Sequence, residues 1–331
     1  MTKATNANTF QTTTAPLGVT RLWEGAFWKV LSCAAFALIN GIVRYLSGGM
    51  NQTSLDVLPL ETIIFFQNLF GTFFLLPFLT EFKIRDLKTA YPGLHFLRIA
   101  TAVAGIYLWY LTLKVMPIAE GVALSFTGPI FTVIGASLLL HEKIDKTRFV
   151  AISLSLIGAF IISRPDIPLR GGVHPIGFSA IFPLSSAFVL AFSKLLTRKL
   201  ARQGETPMAL TLYLLLFMAP VSFIPACFHW SMPTLTQWPW LLLMGALATV
   251  AHLSFSKAYQ LAEVTFLTPF GFTKFFLSML VGFVAFSELP TSPSLWLGIS
   301  VIFLSILALA YKSSLYSLAN CVRSSLFKNN E

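Results

Sequence analysis

The chain has 331 residues, of which 56% are hydrophobic and only 11% are charged, and this composition excludes a soluble globular protein. Soluble domains carry roughly 25% charged residues, and this chain lacks the polar side chains that would have to cover so large an apolar core. The net charge of +10 does not indicate a nucleic-acid-binding protein, because the basic residues form short clusters between long apolar segments rather than one basic face.

Ten apolar segments follow one another along the chain. A helix needs about 20 residues to cross roughly 30 Å of hydrocarbon, and helices are required because lipid offers the backbone no hydrogen-bond partner. The predicted fold is therefore an all-α membrane protein with ten transmembrane helices, at residues 27–46, 60–80, 93–114, 118–140, 148–163, 174–197, 208–228, 237–260, 264–286 and 293–312.

The second half of the chain repeats the first. Residues 105–142 align with residues 251–288 without a gap, at an offset of 146 residues, and the two segments close on Glu142 and Glu288. Each half holds five predicted spans, and because five is odd, the second half must enter the membrane upside down relative to the first. The prediction is a 5+5 inverted repeat, which many transporters use to build a site between two moving halves.

The two repeats are predicted at residues 27–163 and 174–312. Residues 1–26 are predicted to form a disordered cytoplasmic tail, and for the predicted cytoplasmic tail 313–331 both a frayed end and an interfacial helix remain open. Lys and Arg concentrate on one side if the N-terminus is cytoplasmic, whereas the outer loops then hold only Arg164 and Arg170. The positive-inside rule predicts a multi-pass protein of the inner (plasma) membrane with both termini in the cytoplasm.

Motifs of enzymes and pumps are missing from the sequence. It contains no GxxxxGK[ST] and no HExxH, and its five histidines show no spacing typical of metal ligands. We therefore expect no enzyme, no cofactor and no metal site.

Lys274 is the most informative polar residue, because it lies near the middle of the ninth predicted span. A central lysine costs about 2.5–3.5 kcal/mol on insertion scales, so it predicts a substrate or counter-ion site. An internal ion pair or a shifted span boundary is the alternative. Lys257 lies nearer a span end, where a cavity role and snorkelling are both open, and for Arg44 and Lys194 we expect snorkelling to the headgroups.

Uncharged polar and aromatic residues complete the candidate site. Asn40 and Gln67 would hydrogen-bond either the substrate or a neighbouring helix. Glu120 stands at the start of the fourth span, where it would either cap the helix or serve as a coupling-ion site. The aromatic candidates for contact with an organic solute are Trp109, Tyr110, Phe126 and Tyr259.

The pattern Pro117…Ala123…Pro129…Glu142, followed by Lys257-Ala258…Pro269…Glu288, resembles the EamA-type branch of the drug/metabolite transporter superfamily. Within it, residues 95–132 and 255–270 are similar to S-adenosylmethionine uptake transporters of intracellular bacteria. The resemblance implies a central cavity lined by spans 1, 3, 4, 6, 8 and 9 that opens to one side and then the other. The sequence departs from the family pattern at Gln67, where many relatives have Arg, and at Lys274.

These observations predict a transmembrane transporter of small organic metabolites that works by alternating access, with S-adenosylmethionine uptake as the specific candidate. Lys274 would orient an anionic group, and Trp109 and Tyr110 would contact an apolar or ring portion. The expected partners are an organic solute and membrane lipid but no nucleic acid, and a homodimer is left open. The alternatives are an exporter of amino acids or toxic metabolites, and a non-transporting membrane scaffold or receptor.

Overall fold

The computed structural model describes residues 19–49, 57–77, 89, 91–140, 146–163, 179–203, 205, 207–261, 267, 269–288, 293–305 and 307. These residues form helices and connecting turns, with no strand among them. The helices are α1 (Val19–Leu46), α2 (Leu60–Leu75), α3 (Pro92–Val115), α4 (Ile118–Ser125), α5 (Gly128–Leu140), α6 (Lys146–Ser163), α7 (Ile181–Arg202), α8 (Pro207–Phe228), α9 (Trp238–Leu261), the 3-10 helix η1 (Pro269–Phe272), α10 (Thr273–Phe286) and α11 (Pro293–Ser305).

Every predicted span overlaps at least one of these helices. In the described part of the chain, four segments are long and apolar enough to cross a membrane by themselves: Leu22–Leu46, Pro92–Val115, Ile118–Leu138 and Trp238–Ala258. The remaining apolar helices are shorter. The predicted tail at residues 313–331, with its alternative of an interfacial helix, lies outside the described residues, as do residues 1–18 of the predicted N-terminal tail. The prediction of disorder is wrong for residues 19–26, because α1 begins at Val19 and continues the helix of the first span.

Two predicted spans are interrupted rather than continuous. The fourth divides at Phe126 and Thr127, whose amides bond the carbonyl oxygens of Ala123 and Leu124, three residues back. Pro129 explains the break, because it has no N–H to offer the Ser125 carbonyl and its ring disfavours helical geometry at the preceding residue.

The ninth predicted span is interrupted by η1, which passes into α10 at Thr273. At the repeat offset of 146 residues, Phe126 and Thr127 correspond to Phe272 and Thr273. Both interruptions therefore fall at the same position of the duplicated sequence. Irregular backbone inside a membrane span is tolerated where it borders protein or a cavity.

Helices of the first half pack mainly against helices of the second half. α1 packs against α9 and α10, and α7 packs in the same way against α3 and α5. The α6 and α11 backbones cross closely: a Cβ atom added at Gly158 would lie 2.8 Å from the carbonyl oxygen of Gly298. Small residues at such crossings allow helix backbones to approach within the membrane.

Polar contacts tie the helix ends together at both ends of the bundle. Arg44, near the end of α1, forms an ion pair with Glu288, just after α10. At the opposite end, Arg98 of α3 donates a hydrogen bond to the Leu210 carbonyl oxygen of α8 at 2.7 Å. The snorkelling expected of Arg44 is therefore wrong, because its side chain is only 1% exposed and is paired inside the protein.

Candidate functional site

Lys274 and Trp109 meet at the centre of the bundle. The Lys274 Nζ atom lies 5.0 Å from the centroid of the Trp109 ring and 5.6 Å from that of Phe36. Lys274 is the second residue of α10 and directly follows the interruption of the backbone at η1. A cation over an aromatic face is attracted by the ring quadrupole, so the two rings stabilise the ammonium without neutralising it.

Asn40 fixes the orientation of the Trp109 indole. The indole Nε1 donates a hydrogen bond to Asn40 Oδ1 at 3.1 Å, and Asn40 Nδ2 donates to Ser278 Oγ at 3.3 Å. Asn40, Trp109 and Ser278 are all buried. These bonds join α1, α3 and α10 into one polar network around the aromatic face that Lys274 covers.

Gln67 and Tyr110 form a second buried polar pair beside the first. The Tyr110 hydroxyl donates a hydrogen bond to Gln67 Oε1. Gln67 also lines a small cleft between α2, α8 and α9 that reaches His252. The centroids of the His252 and Phe36 rings lie 5.5 Å apart, with one ring edge-on to the other. Because Phe36 also lies beside Lys274, this contact connects the cleft to the surroundings of Lys274.

A further lysine lies near Lys274. The Cε atom of Lys29 on α1 would lie 3.9 Å from a Cβ atom added at Gly271, three residues before Lys274. Lys29 is buried, Lys274 is half-buried and Lys194 is exposed. Arg44 forms an ion pair with Glu288, and the carboxylates of Glu205 and Glu61 lie 3.8 Å from His95 and His229, which carry charge only when protonated. None of these includes a lysine, so the described part of the chain gives Lys274 no internal ion pair.

The two halves contribute matching aromatic positions to the site. The Lys29 Nζ atom lies 4.4 Å from the centroid of the Phe255 ring, and the Lys274 Nζ atom lies 5.0 Å from that of the Trp109 ring. Trp109 and Phe255 are 146 residues apart, which is the repeat offset. The duplicated position therefore carries an aromatic ring under a lysine in both halves.

The remaining sequence candidates are more dispersed. Lys257 is exposed, and its Nζ atom lies 4.1 Å from the centroid of Trp28 rather than beside Trp109. Phe126 packs on the hydrophobic core at the interruption between α4 and α5. Glu120 lies in the first turn of α4 and is half-buried. Tyr259 belongs to α9, but its side chain is outside the described residues.

Sequence reasoning gave no role to Lys29 or to His252. Lys29 stands near the start of its span, where a lysine is typical of an interfacial anchor, and only the fold brings it beside Phe255 and Lys274. His252 shows no metal-ligand spacing, and the described residues contain no group of three His, Cys, Asp or Glu side chains that could hold a metal ion. The alignment of Trp109 with Phe255 is the signal that could have indicated a paired site.

The arrangement contains the chemical groups that a binding site for a flat organic molecule would need. Aromatic faces offer stacking surfaces, carboxamide groups offer both donors and acceptors, and the lysines offer positive charge. Pockets for small molecules are mostly apolar and contain a few placed polar groups of this kind.

The model of the EamA-like transporter family matches residues 23–164 and 177–311 of this chain. Among curated proteins, the riboflavin transporter of Vibrio cholerae serotype O1 is 34% identical over 287 residues, which cover 86% of this chain and 91% of that protein. The S-adenosylmethionine uptake transporter of Rickettsia bellii is 25% identical over 273 residues, covering 82% of this chain and 88% of that protein.

The fold is similar to that of a protein whose crystal structure has been solved. The superposition has a TM-score of 0.58 and 15% sequence identity, and covers 90% of this chain and 98% of the other. At this identity the likeness describes the fold alone.

Proposed function

The chain belongs to the EamA-like transporter family, and from this premise we propose that it carries riboflavin across a membrane by alternating access. It is a multi-pass membrane protein and a transporter rather than an enzyme. The likeness to a riboflavin transporter extends over most of both chains, and the chemistry of the site is compatible with this substrate.

The observation that carries the proposal is the buried Trp109 ring, held by Asn40 and covered by Lys274. Riboflavin consists of a planar, uncharged three-ring system and a flexible chain of hydroxyl groups. Its pyrimidine edge presents an N–H between two carbonyl groups, which is complementary to a carboxamide such as that of Asn40 or Gln67. A lysine ammonium would donate to one of these carbonyl oxygens while an aromatic ring stacks on the flat face.

S-adenosylmethionine suits the same site less well. Its sulfonium centre carries a positive charge, which favours a carboxylate or an uncharged aromatic face. The charged group that covers the face of Trp109 is the Lys274 ammonium. A cationic solute would be repelled by this group, so adenosylmethionine is the second candidate, supported by the relatives that bear its name.

Alternating access would follow from a 5+5 inverted repeat of residues 27–163 and 174–312. The exchanged packing of α1 on α9 and of α7 on α3 supports this arrangement. The equivalent helix interruptions and the two separate matches to the family model also support it. The two halves would rock about the lysine and aromatic groups.

Counterflow in proteoliposomes tests the transport function. Liposomes loaded with unlabelled riboflavin and containing the purified full chain should accumulate radiolabelled riboflavin from outside, and excess unlabelled riboflavin should abolish the accumulation. Adenosylmethionine should compete only weakly. A non-transporting scaffold or receptor would bind riboflavin without flux, and an exporter of amino acids would give counterflow with amino acids instead. Either outcome would contradict the proposal.

The proposed location is the inner membrane, with both termini in the cytoplasm. Green fluorescent protein fused to either terminus should fluoresce in bacterial cells, and alkaline phosphatase fused to the same terminus should be inactive. An active phosphatase at one terminus alone would contradict the even number of spans.

A further inference from the structure

The small cleft between α2, α8 and α9 is lined mostly by polar side chains. One wall belongs to the first half of the chain and the other two belong to the second half. None of the described residues that line it is Lys, Arg, Asp or Glu. Uncharged polar groups gathered within membrane helices are expected where helices bond one another or where a solute passes. The polar lining residues are Gln67, Asn68, Thr72, Thr249 and His252.

Helical spacing and a close crossing bring these residues together. Gln67 and Gly71 are four residues apart on α2, and Thr249 and His252 are three apart on α9, so each pair shares one helix face. A Cβ atom added at Gly245 would lie 3.0 Å from the Gly71 amide nitrogen. The Thr249 hydroxyl donates across this crossing to the Gly71 carbonyl oxygen at 2.9 Å. Contacts to the backbone thus hold the two walls against each other.

The cleft retains hydrogen-bonding capacity that the protein does not use. Gln67 Oε1 accepts the Tyr110 hydroxyl, and Asn68 Nδ2 donates to Ser222 Oγ at 3.3 Å. The Gln67 amide nitrogen and the Asn68 carbonyl oxygen make no hydrogen bond to a described residue, and the same holds for the ring nitrogens of His252. Donors and acceptors therefore lie side by side, which is what a hydroxyl group requires of its binding site.

The cleft lies close to the site at Trp109. Phe36 contacts both, because its ring centroid lies 5.5 Å from that of His252 and 5.6 Å from the Lys274 Nζ atom. Asn40, which accepts the Trp109 indole N–H, follows Phe36 by four residues on α1, or about 6 Å along the helix axis. A molecule whose ring stacks on Trp109 needs only a short flexible chain to reach the cleft.

We propose that this cleft is the subsite that binds the hydroxylated chain of riboflavin. The inference rests on the proposed function, since the flavin ring would lie on Trp109 with its pyrimidine edge at Asn40. The cleft is too small for the ring system, and its lining gives a charged group no counter-charge. A hydroxyl group at the end of a chain is small and uncharged, and it both donates and accepts hydrogen bonds.

Hydrogen bonds in this cleft would make the protein prefer flavins that carry the chain. A flavin without hydroxyl groups leaves the polar groups of the cleft to water, and water replaces part of the lost interaction. The net contribution of each hydrogen bond is therefore modest, and two or three bonds together correspond to roughly tenfold in affinity.

Binding of riboflavin and lumiflavin to the full chain in phosphatidylcholine nanodiscs, measured by quenching of flavin fluorescence, tests the subsite. Lumiflavin has the same ring system with a methyl group in place of the hydroxylated chain. Riboflavin should bind roughly tenfold more tightly than lumiflavin. Thr249→Val and His252→Phe should each lower the affinity for riboflavin about threefold and leave the affinity for lumiflavin unchanged. His252→Phe keeps a ring beside Phe36 while removing both nitrogens.

Thr197→Val is the matched control. The Thr197 hydroxyl donates to the carbonyl oxygen of Ser193, four residues back, at 3.0 Å, and the Thr249 hydroxyl bonds that of Gly245 in the same way at 3.2 Å. Thr197 is half-buried on α7 and does not line the cleft. Its replacement should leave the affinities for both flavins unchanged. Melting curves of the three variants without ligand establish that each one folds.

The outcomes separate this inference from the proposed function. Equal affinities for riboflavin and lumiflavin would overturn the subsite and leave flavin binding at Trp109 standing. Variants at Thr249 and His252 that lose affinity for both flavins equally would place the ring in the cleft, which also overturns the inference. If neither flavin binds, the proposed function fails and the subsite falls with it.

Discussion

Arg44 forms an ion pair with Glu288 across 244 residues of sequence and joins the end of α1 to the end of α10. The Arg44 guanidinium also donates to the Met116 carbonyl oxygen at 2.6 Å, and Glu288 Oε2 accepts the Ile118 amide at 2.9 Å. The pair thus ties α1 and α10 to the junction between α3 and α4. All these contacts lie at one end of the bundle.

Replacing Glu288 with Gln should destabilise the protein strongly, by about 3–5 kcal/mol, because Arg44 would stay buried without its counter-charge. Burial raises the pKa of the Glu288 carboxyl, and the Arg44 guanidinium opposes that shift. Since burial dominates, replacing both partners with apolar residues should recover part of the loss. Thermal melting of the variants E288Q, R44M and R44M/E288L in detergent measures both the loss of stability and its partial recovery. A double variant no more stable than the worse single variant would contradict it.

Lys274→Met should reduce riboflavin counterflow by at least about tenfold while leaving expression and melting temperature close to those of the unmodified chain. The expected loss follows from removing a charged donor at a site shielded from water. Lys274→Arg should retain part of the flux, because it keeps the charge but changes the geometry. Lys199→Met is the control, because Lys199 is an exposed lysine near the end of α7. Unchanged counterflow in Lys274→Met would exclude a role for this residue in binding or transport.

Trp109 should contribute to affinity through both its ring and its N–H group. Trp109→Phe keeps an aromatic face but leaves Asn40 without the indole donor, and riboflavin affinity should fall about threefold. Trp109→Ala also removes the stacking surface, and the loss should reach about tenfold or more. Titration by flavin fluorescence measures both. Trp240→Ala is a control at an exposed tryptophan near one end of the bundle, and an equal loss there would indicate a general effect.

The close crossing of α6 and α11 should not tolerate a methyl group. A Cβ atom at Gly158 would lie 2.8 Å from the Gly298 carbonyl oxygen and 2.7 Å from Ile302. Because the backbone cannot move away without separating the helices, Gly158→Ala should cost about 1–3 kcal/mol of stability.

Gly93→Ala is the matched control for this crossing, since no atom lies within 4 Å of a Cβ atom added there. Alanine is favoured over glycine in a helix, so the control should melt at an equal or slightly higher temperature. Melting of the two variants in the same detergent compares them directly. Equal melting temperatures would show that α6 and α11 separate at no cost.

Most of the helical order was predictable because the bilayer imposes it. Membrane proteins must satisfy backbone groups within helices, and apolar length then locates each span. The interruption after Ser125 has a local cause in Pro129, and Lys274 was recognisable because a lysine so far from both ends of a span is costly.

Long-range pairing was not predictable from local patterns. Arg44 has the position of a snorkelling residue, and its burial depends on Glu288, which only the folded bundle brings to it. Lys29 has the position of an interfacial anchor, yet it lies 4.4 Å from the Phe255 ring centroid. A single sequence shows the distance of a charge from a span end, but not which neighbouring helix covers it.

Gly128 and Lys274 occupy corresponding positions in the two copies, directly after the interrupted backbone. In the inverted repeat that we propose, two identical copies would present a transported solute with the same wall from either face of the membrane. With a lysine in one copy and a bare glycine in the other, the walls differ chemically. The interruption of the backbone is therefore shared by the two halves, whereas the charge beside it belongs to the second half alone.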